Sequence, residues 1–226
     1  MRIRSFIIAY ALVLAILLFA DRRPHPIEPG RYSHVVDLTD AQDGIGRAAK
    51  RALSDSTDSR TRIIAPDDLI PGTWKAGQIP AERLIAPLVV LELRTTGAGN
   101  TPSEDPLSLD DIAAWETAHG NVPQGAVVAI RHREVLHNTS NKPLAITAEA
   151  AQFLMDARYT TGFVSDAPAA FGADRSLARQ LARHGNYVVE RAKDLRSLPA
   201  TGSLIIVAPA KGKTTGTPVR VLAMVQ

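Results

Sequence analysis

Residues 58–68 read Asp-Ser-Arg-Thr-Arg-Ile-Ile-Ala-Pro-Asp-Asp. The stretch mixes the carboxylates of Asp58, Asp67 and Asp68 with the guanidiniums of Arg60 and Arg62. Carboxylates can hold a hard cation such as magnesium or calcium, and they can pass protons. A guanidinium does neither, because it is permanently charged and has no acceptor. Other kinds of chemistry have less support. The chain has no cysteine, which excludes disulfides, thiolate nucleophiles and thiolate-bound zinc. Its six histidines (25, 34, 119, 132, 137, 184) lack metal-ligand spacing and are expected mostly on surfaces and loops. No nucleophile-elbow pattern G-x-S-x-G is present. Gly212-Lys213-Thr214 resembles the end of a phosphate loop, but Val207 stands where that loop needs glycine, and Pro218 follows where a helix should start.

These residues sit in a chain of 226 residues, enough for one full-sized domain. Hydrophobic residues make up 45% and charged residues 22%, an ordinary globular balance. The net charge of +3 is concentrated at the start. Residues 1–30 carry four Arg and two acids; removing these from 26 bases and 23 acids leaves 22 against 21, a net of +1. So even a balance argues against a nucleic-acid surface.

Arg2 and Arg4 precede an apolar run, Phe6 to Ala20, closed by Asp21-Arg22-Arg23. A basic start followed by such a run predicts an apolar helix serving as an export signal or an uncleaved membrane anchor over residues 1–23. Pro24, Pro26 and Pro29 make 24–33 an extended linker. The folded domain is expected over 34–226, beyond the membrane in a cell envelope or periplasm.

Within that domain strands alternate with helices. Strands are predicted at His34–Leu38, Leu88–Leu93, Ala126–Arg131, Gly162–Ser165, Tyr187–Val189, Leu204–Ala208 and Val219–Val225. The segments 88–93, 126–130 and 204–208 are expected to be buried. Helices are predicted at Asp43–Leu53, at Leu109–His119 behind the N-cap Ser108, at Thr147–Arg158, and at Asp174–His184 before Gly185. Thr95 to Pro102 is a loop by composition. The pattern gives a single α/β domain with a central mixed sheet and flanking helices.

Several segments share their order and spacing with one family. Val36-Asp37-Leu38-Thr39, Gln78-Ile79-Pro80-Ala81-Glu82-Arg83-Leu84, Val122-Pro123-Gln124-Gly125, Ser165-Asp166-Ala167-Pro168 and His184-Gly185-Asn186-Tyr187-Val188-Val189-Glu190 carry the match, with Leu198-Pro199 and Gly212 to Arg220 closing it. Together they resemble the cyclase, or kynurenine formamidase-like, family of metal-dependent hydrolases. The resemblance implies a homodimer. It also implies two divalent metals, usually zinc or manganese, that activate water against an amide carbonyl.

Residues 58–68 occupy the place of that family's H-x-G-T-H-x-D-x-P-x-H, and only Thr61 and Pro66 agree with it. The resemblance puts Asp58, Arg62 and Ile64 where metal ligands stand, Asp68 at the acid–base histidine, and Ala178 at a later ligand histidine. Glu190 is the one surviving ligand position. Asp67 and His184 are further pocket candidates. The expectation is a member with little or no hydrolase activity and no bound metal, serving in the cell envelope as a binding or structural module that takes a small-molecule ligand. The competing reading is a working amidohydrolase whose site is rebuilt from Asp58, Asp67, Asp68 and Glu190 around a cation. A third element is a salt bridge between Arg62 and Glu190, whose guanidinium would neutralise the surviving carboxylate.

Overall fold

The computed structural model describes residues 32–40, 60–96, 103–132, 144–169, 171, 175–211 and 218–226. The apolar run 6–20, the expected helix 43–53 and the glycine-rich segment 212–217 lie outside the described residues. So does Asp58.

Ten strands and four α-helices are described. They run β1 (His34–Asp37), β2 (Arg62–Ile64), α1 (Pro66–Leu69), β3 (Ile85–Glu92), β4 (Thr95–Thr96), β5 (Ser103–Glu104), α2 (Leu109–His119), β6 (Val127–Arg131), α3 (Ala148–Ala157), β7 (Gly162–Ser165), α4 (Ser176–Arg183), β8 (Tyr187–Glu190), β9 (Ser203–Pro209) and β10 (Val219–Val225). Eight strands form one mixed sheet in the order β1-β10-β9-β3-β6-β7-β8-β2. β3, β6, β7 and β8 are parallel neighbours. The remaining pairs are antiparallel. A bridge between Arg62 and Pro218 brings β2 against the start of β10, so the sheet curls back on itself.

The curl gives the sheet an inner and an outer face. The inner face carries one core contributed by all eight strands, including Val36, Ile63, Leu88, Val127, Val164, Val189, Ile205 and Val221. The outer face of the parallel half carries a second core. There Leu91, Val128, Phe163 and Val188 pack with Ile112, Leu154 and Leu181 from α2, α3 and α4. Period-2 alternation thus places Val89 and Leu91 of β3 under the helices and Ala86, Leu88 and Val90 inside the curl.

Local chemistry explains the element ends. Ser108 caps α2: its hydroxyl accepts from the Asp111 N–H at 3.3 Å, while the Asp111 carboxylate accepts from the Ser108 N–H at 2.9 Å. Thr147 caps α3 by accepting from the Ala150 N–H at 3.2 Å. Gly185 ends α4 with a φ of +66°.

The structure corrects the loop expected at Thr95 to Pro102. Thr95–Thr96 pairs with Ser103–Glu104 as a small antiparallel ribbon. The composition of the segment hides the strand, but the β-branched Thr95 and Thr96 suit one. The sequence pattern does not predict β2, because three residues are too few to show a period.

Candidate functional site

Antiparallel pairing of β2 with β8 sets Arg62 opposite Glu190 and Ile64 opposite Val188. Alternation turns all four side chains to the helix-covered outer face. Arg62 Nε donates to Glu190 Oε1, forming the ion pair expected from the sequence. Glu190 Oε2 accepts the Ala169 N–H at 2.7 Å. Both carboxylate oxygens are therefore engaged by the protein itself, one of them by a full positive charge. The Glu190 side chain is 2% exposed and that of Arg62 36%. Ile64 packs against the outer core, and Ala178, fully buried on α4, belongs to that same core. Neither offers a donor atom to a metal.

Thr61, which precedes β2, is buried. Its hydroxyl donates to the Arg191 carbonyl at 2.7 Å and accepts the Asp40 N–H at 2.7 Å. It thereby ties the segment after β1 to the residue after Glu190, a structural role.

Pro66 opens α1, which suits its fixed φ and missing N–H. The Asp68 carboxylate accepts the Ala65 N–H at 2.8 Å, and the Asp67 carboxylate accepts the Gly72 N–H at 2.8 Å. Both acids thus organise the turn of α1. The helix that α1 packs against is α4.

His184 lies at the C-terminus of α4 and pairs with Asp156 at 3.6 Å. It lines an open cleft of about 560 Å3 with Pro66, Trp74, Gln78 and Arg183. Neither Arg62 nor Glu190 lines that cleft. Trp74 is held from two sides. The Arg83 guanidinium sits 5.7 Å from its ring centre. Gly185 lies so close that a Cβ there would meet the ring at 2.8 Å. Arg83 also donates to the His184 and Gly185 carbonyls, each at 3.2 Å. Tyr187 donates its phenol to the Arg83 carbonyl at 3.1 Å, and burial raises that phenol's pKa.

One pair escapes a reading of the sequence. His132, expected among surface histidines, is buried at the end of β6. Its ring Nδ1 pairs with Asp166 Oδ1, and its backbone N–H donates to Asp166 Oδ2 at 3.1 Å. Parallel registers of β6, β7 and β8 bring His132, Asp166 and Glu190 to the carboxyl ends of neighbouring strands. That is the edge where open α/β sheets place their sites. The signal in the sequence is Ser165-Asp166-Ala167-Pro168, but nothing there ties its acid to a histidine 34 residues earlier. Among the described residues no three His, Asp or Glu side chains gather as a metal-binding group.

A family model for the Cyclase family, described as putative cyclase, matches residues 21–170. The chain belongs to that family. Isatin hydrolase A from Labrenzia aggregata, bound to benzyl benzoate, is similar over 96% of this chain and 99% of its own, at 23% identity and a TM-score of 0.60. Isatin hydrolase A from Ralstonia solanacearum is similar over 96% and 97%, at 22% identity and a TM-score of 0.60. A structure described as a potential metal-dependent hydrolase with cyclase activity covers 85% of this chain and 98% of its own, at 21% identity and a TM-score of 0.61. At such identities these neighbours establish the fold: a metal-dependent-hydrolase-like domain. Among curated proteins no sequence matches significantly.

Proposed function

We propose that this chain is a cyclase-family protein that does not carry out the family's metal-dependent hydrolysis and serves as a binding or structural module at a membrane. The observation that carries the reading is the Arg62–Glu190 pair. A zinc or manganese site of the family type needs several imidazole or carboxylate donors around a shared point. Here the surviving carboxylate spends one oxygen on a guanidinium and the other on a backbone N–H. Arg62 also puts a fixed positive charge beside the surviving carboxylate, and a divalent ion brought to that carboxylate would be repelled by it. Ile64 and Ala178 contribute packing instead of donors. The described residues at these positions do not fit the metal.

The membrane part rests on Phe6 to Ala20 and its flanking arginines. No described helix is long and apolar enough to cross a membrane.

Elemental analysis of the purified full chain, paired with hydrolysis assays on isatin and on N-formylkynurenine, tests the reading. The expected result is substoichiometric zinc and manganese with turnover at background. Stoichiometric metal, with hydrolysis lost in Glu190→Ala, would favour an active amidohydrolase with a rebuilt carboxylate site. A reporter fused after Gln226 should be active only outside the cytoplasm; activity inside the cytoplasm would sink the envelope assignment.

A further inference from the structure

The cleft at the end of α4 is built around an indole. Trp74 is 40% exposed and belongs to neither core. Its position is nonetheless fixed. Its carbonyl accepts the Asp67 N–H at 3.0 Å, the Arg83 guanidinium stands beside its ring, and Gly185 leaves the ring space that any side chain would fill. Pro66 and Ala182 extend the apolar lining. A volume of about 560 Å3 lies within the range of small-molecule sites, which combine apolar and aromatic walls with a few placed polar groups.

The polar groups of this cleft are chiefly donors. Arg183 is exposed, lines the cleft and makes no hydrogen bond or ion pair among the described residues. Gln78 Oε1 accepts the Lys75 N–H at 3.1 Å, which leaves the Gln78 NH2 to donate. The backbone acceptors are engaged: Arg83 donates to the carbonyls of His184 and Gly185, and Asp67 to that of Trp74. No carboxylate lines the cleft among the described residues. That of Asp67 accepts from Gly72, and that of Asp156 pairs with His184.

We propose that this cleft binds a planar aromatic carboxylate, with its ring on Trp74 and its carboxylate on Arg183 and the Gln78 NH2. Rings stack on an indole face, and a guanidinium fork matches the two oxygens of a carboxylate. One unpaired cation suits a monoanion. A neutral ring would leave Arg183 unmatched, and a small inorganic anion would leave the indole bare. The site is separate from the Arg62–Glu190 pair, so the two readings fail separately: metal analysis tests that pair, and ligand titration tests this cleft.

Calorimetric titration of the purified full-length chain with naphthoate tests it, against naphthamide, which lacks the charge, and cyclohexanecarboxylate, which lacks the aromatic ring. Naphthoate should bind saturably and roughly fivefold or more tighter than either. Arg183→Gln should erase the preference over naphthamide and leave naphthamide binding unchanged. Trp74→Leu should erase the preference over cyclohexanecarboxylate, whereas Trp74→Phe, which keeps an aromatic face, should retain most of it. Both side chains are exposed, so the substitutions leave the two cores intact, and unfolding midpoints check this. If Trp74→Leu does not fold, Trp74→Phe and Arg183→Gln carry the test. No saturable naphthoate binding at millimolar concentration, or equal affinity for naphthoate and naphthamide, would overturn the proposal. So would naphthoate binding that is unchanged in Arg183→Gln and in the Trp74 variant, which would place the ring elsewhere on the surface.

Discussion

Arg62 and Glu190 are cross-strand partners in the antiparallel register of β2 and β8, and the guanidinium compensates a carboxylate whose side chain is 2% exposed. A buried carboxylate without a partner is costly, far more so than the pair is stabilising. The short strand β2 is therefore held by three ladder residues and by this side-chain pair. Removing Arg62 should cost more than removing both charges together.

Arg62→Met should destabilise the domain by about 2–4 kcal/mol, below the full cost of breaking a deeply buried pair because Arg62 is partly exposed. Arg62→Met with Glu190→Gln should recover much of that loss, since the amide still accepts the Ala169 N–H. Urea unfolding of the single and double variants measures it. A double variant no more stable than Arg62→Met would show that Glu190 is not the group compensated.

Thr61→Val should cost about 1–3 kcal/mol at nearly constant volume, because it strands the Asp40 N–H and the Arg191 carbonyl. Thr61→Ser, which keeps the hydroxyl, should lose less. A Thr61→Val variant as stable as the natural chain would show that the two hydroxyl bonds contribute nothing.

Glu116 gives a pH-dependent prediction. Arg158 donates to both of its oxygens, at 2.7 and 2.8 Å, and the Val122 N–H donates at 2.9 Å. These bonds, led by that of Arg158, lower the carboxyl pKa below its ordinary 4.5. A depressed acid stabilises the fold above its unfolded-state pKa, and the gain is lost as pH falls through the folded value. Glu116→Gln should therefore lose about 1–3 kcal/mol at neutral pH. The gap to the natural chain should narrow progressively below about pH 4.5. Denaturant midpoints across that range check both halves; a pH-independent gap would contradict the ionic origin.

Legibility in the sequence differs by residue. Ser108 and Thr147 announce their helices because a cap is a local interaction. The outer-face position of Ile206 is not legible, and the expectation that 204–208 is wholly buried needs correction. Leu204-Ile205-Ile206-Val207 is apolar throughout, so alternation has no phase to read. Ile205 and Val207 point into the inner core while Ile206 does not. The Arg62–Glu190 pair is legible only because a family resemblance brings together residues 128 apart. His132 and Asp166 have no such guide.

The correspondence behind that pair can be tested by rebuilding it. Asp58→His, Arg62→His, Ile64→Asp, Asp68→His and Ala178→His together would return imidazoles and carboxylates to the positions the family pattern assigns. Removing Arg62 also frees Glu190 from its guanidinium. The substitutions have a cost, because Ala178 is fully buried and an imidazole there must displace part of the outer core. The metal-free variant should therefore unfold more readily than the natural chain. Zinc or manganese should then stabilise the variant, since a ligand that binds only the folded state adds about 2.7 kcal/mol at a hundred times its Kd. The natural chain should show no such shift. Adding Glu190→Ala to the variant should reduce the metal-dependent stabilisation, which a surface-bound ion would not do. A rebuilt chain that folds but gains nothing from either metal would mean that Ile64 and Ala178 do not mark the metal positions.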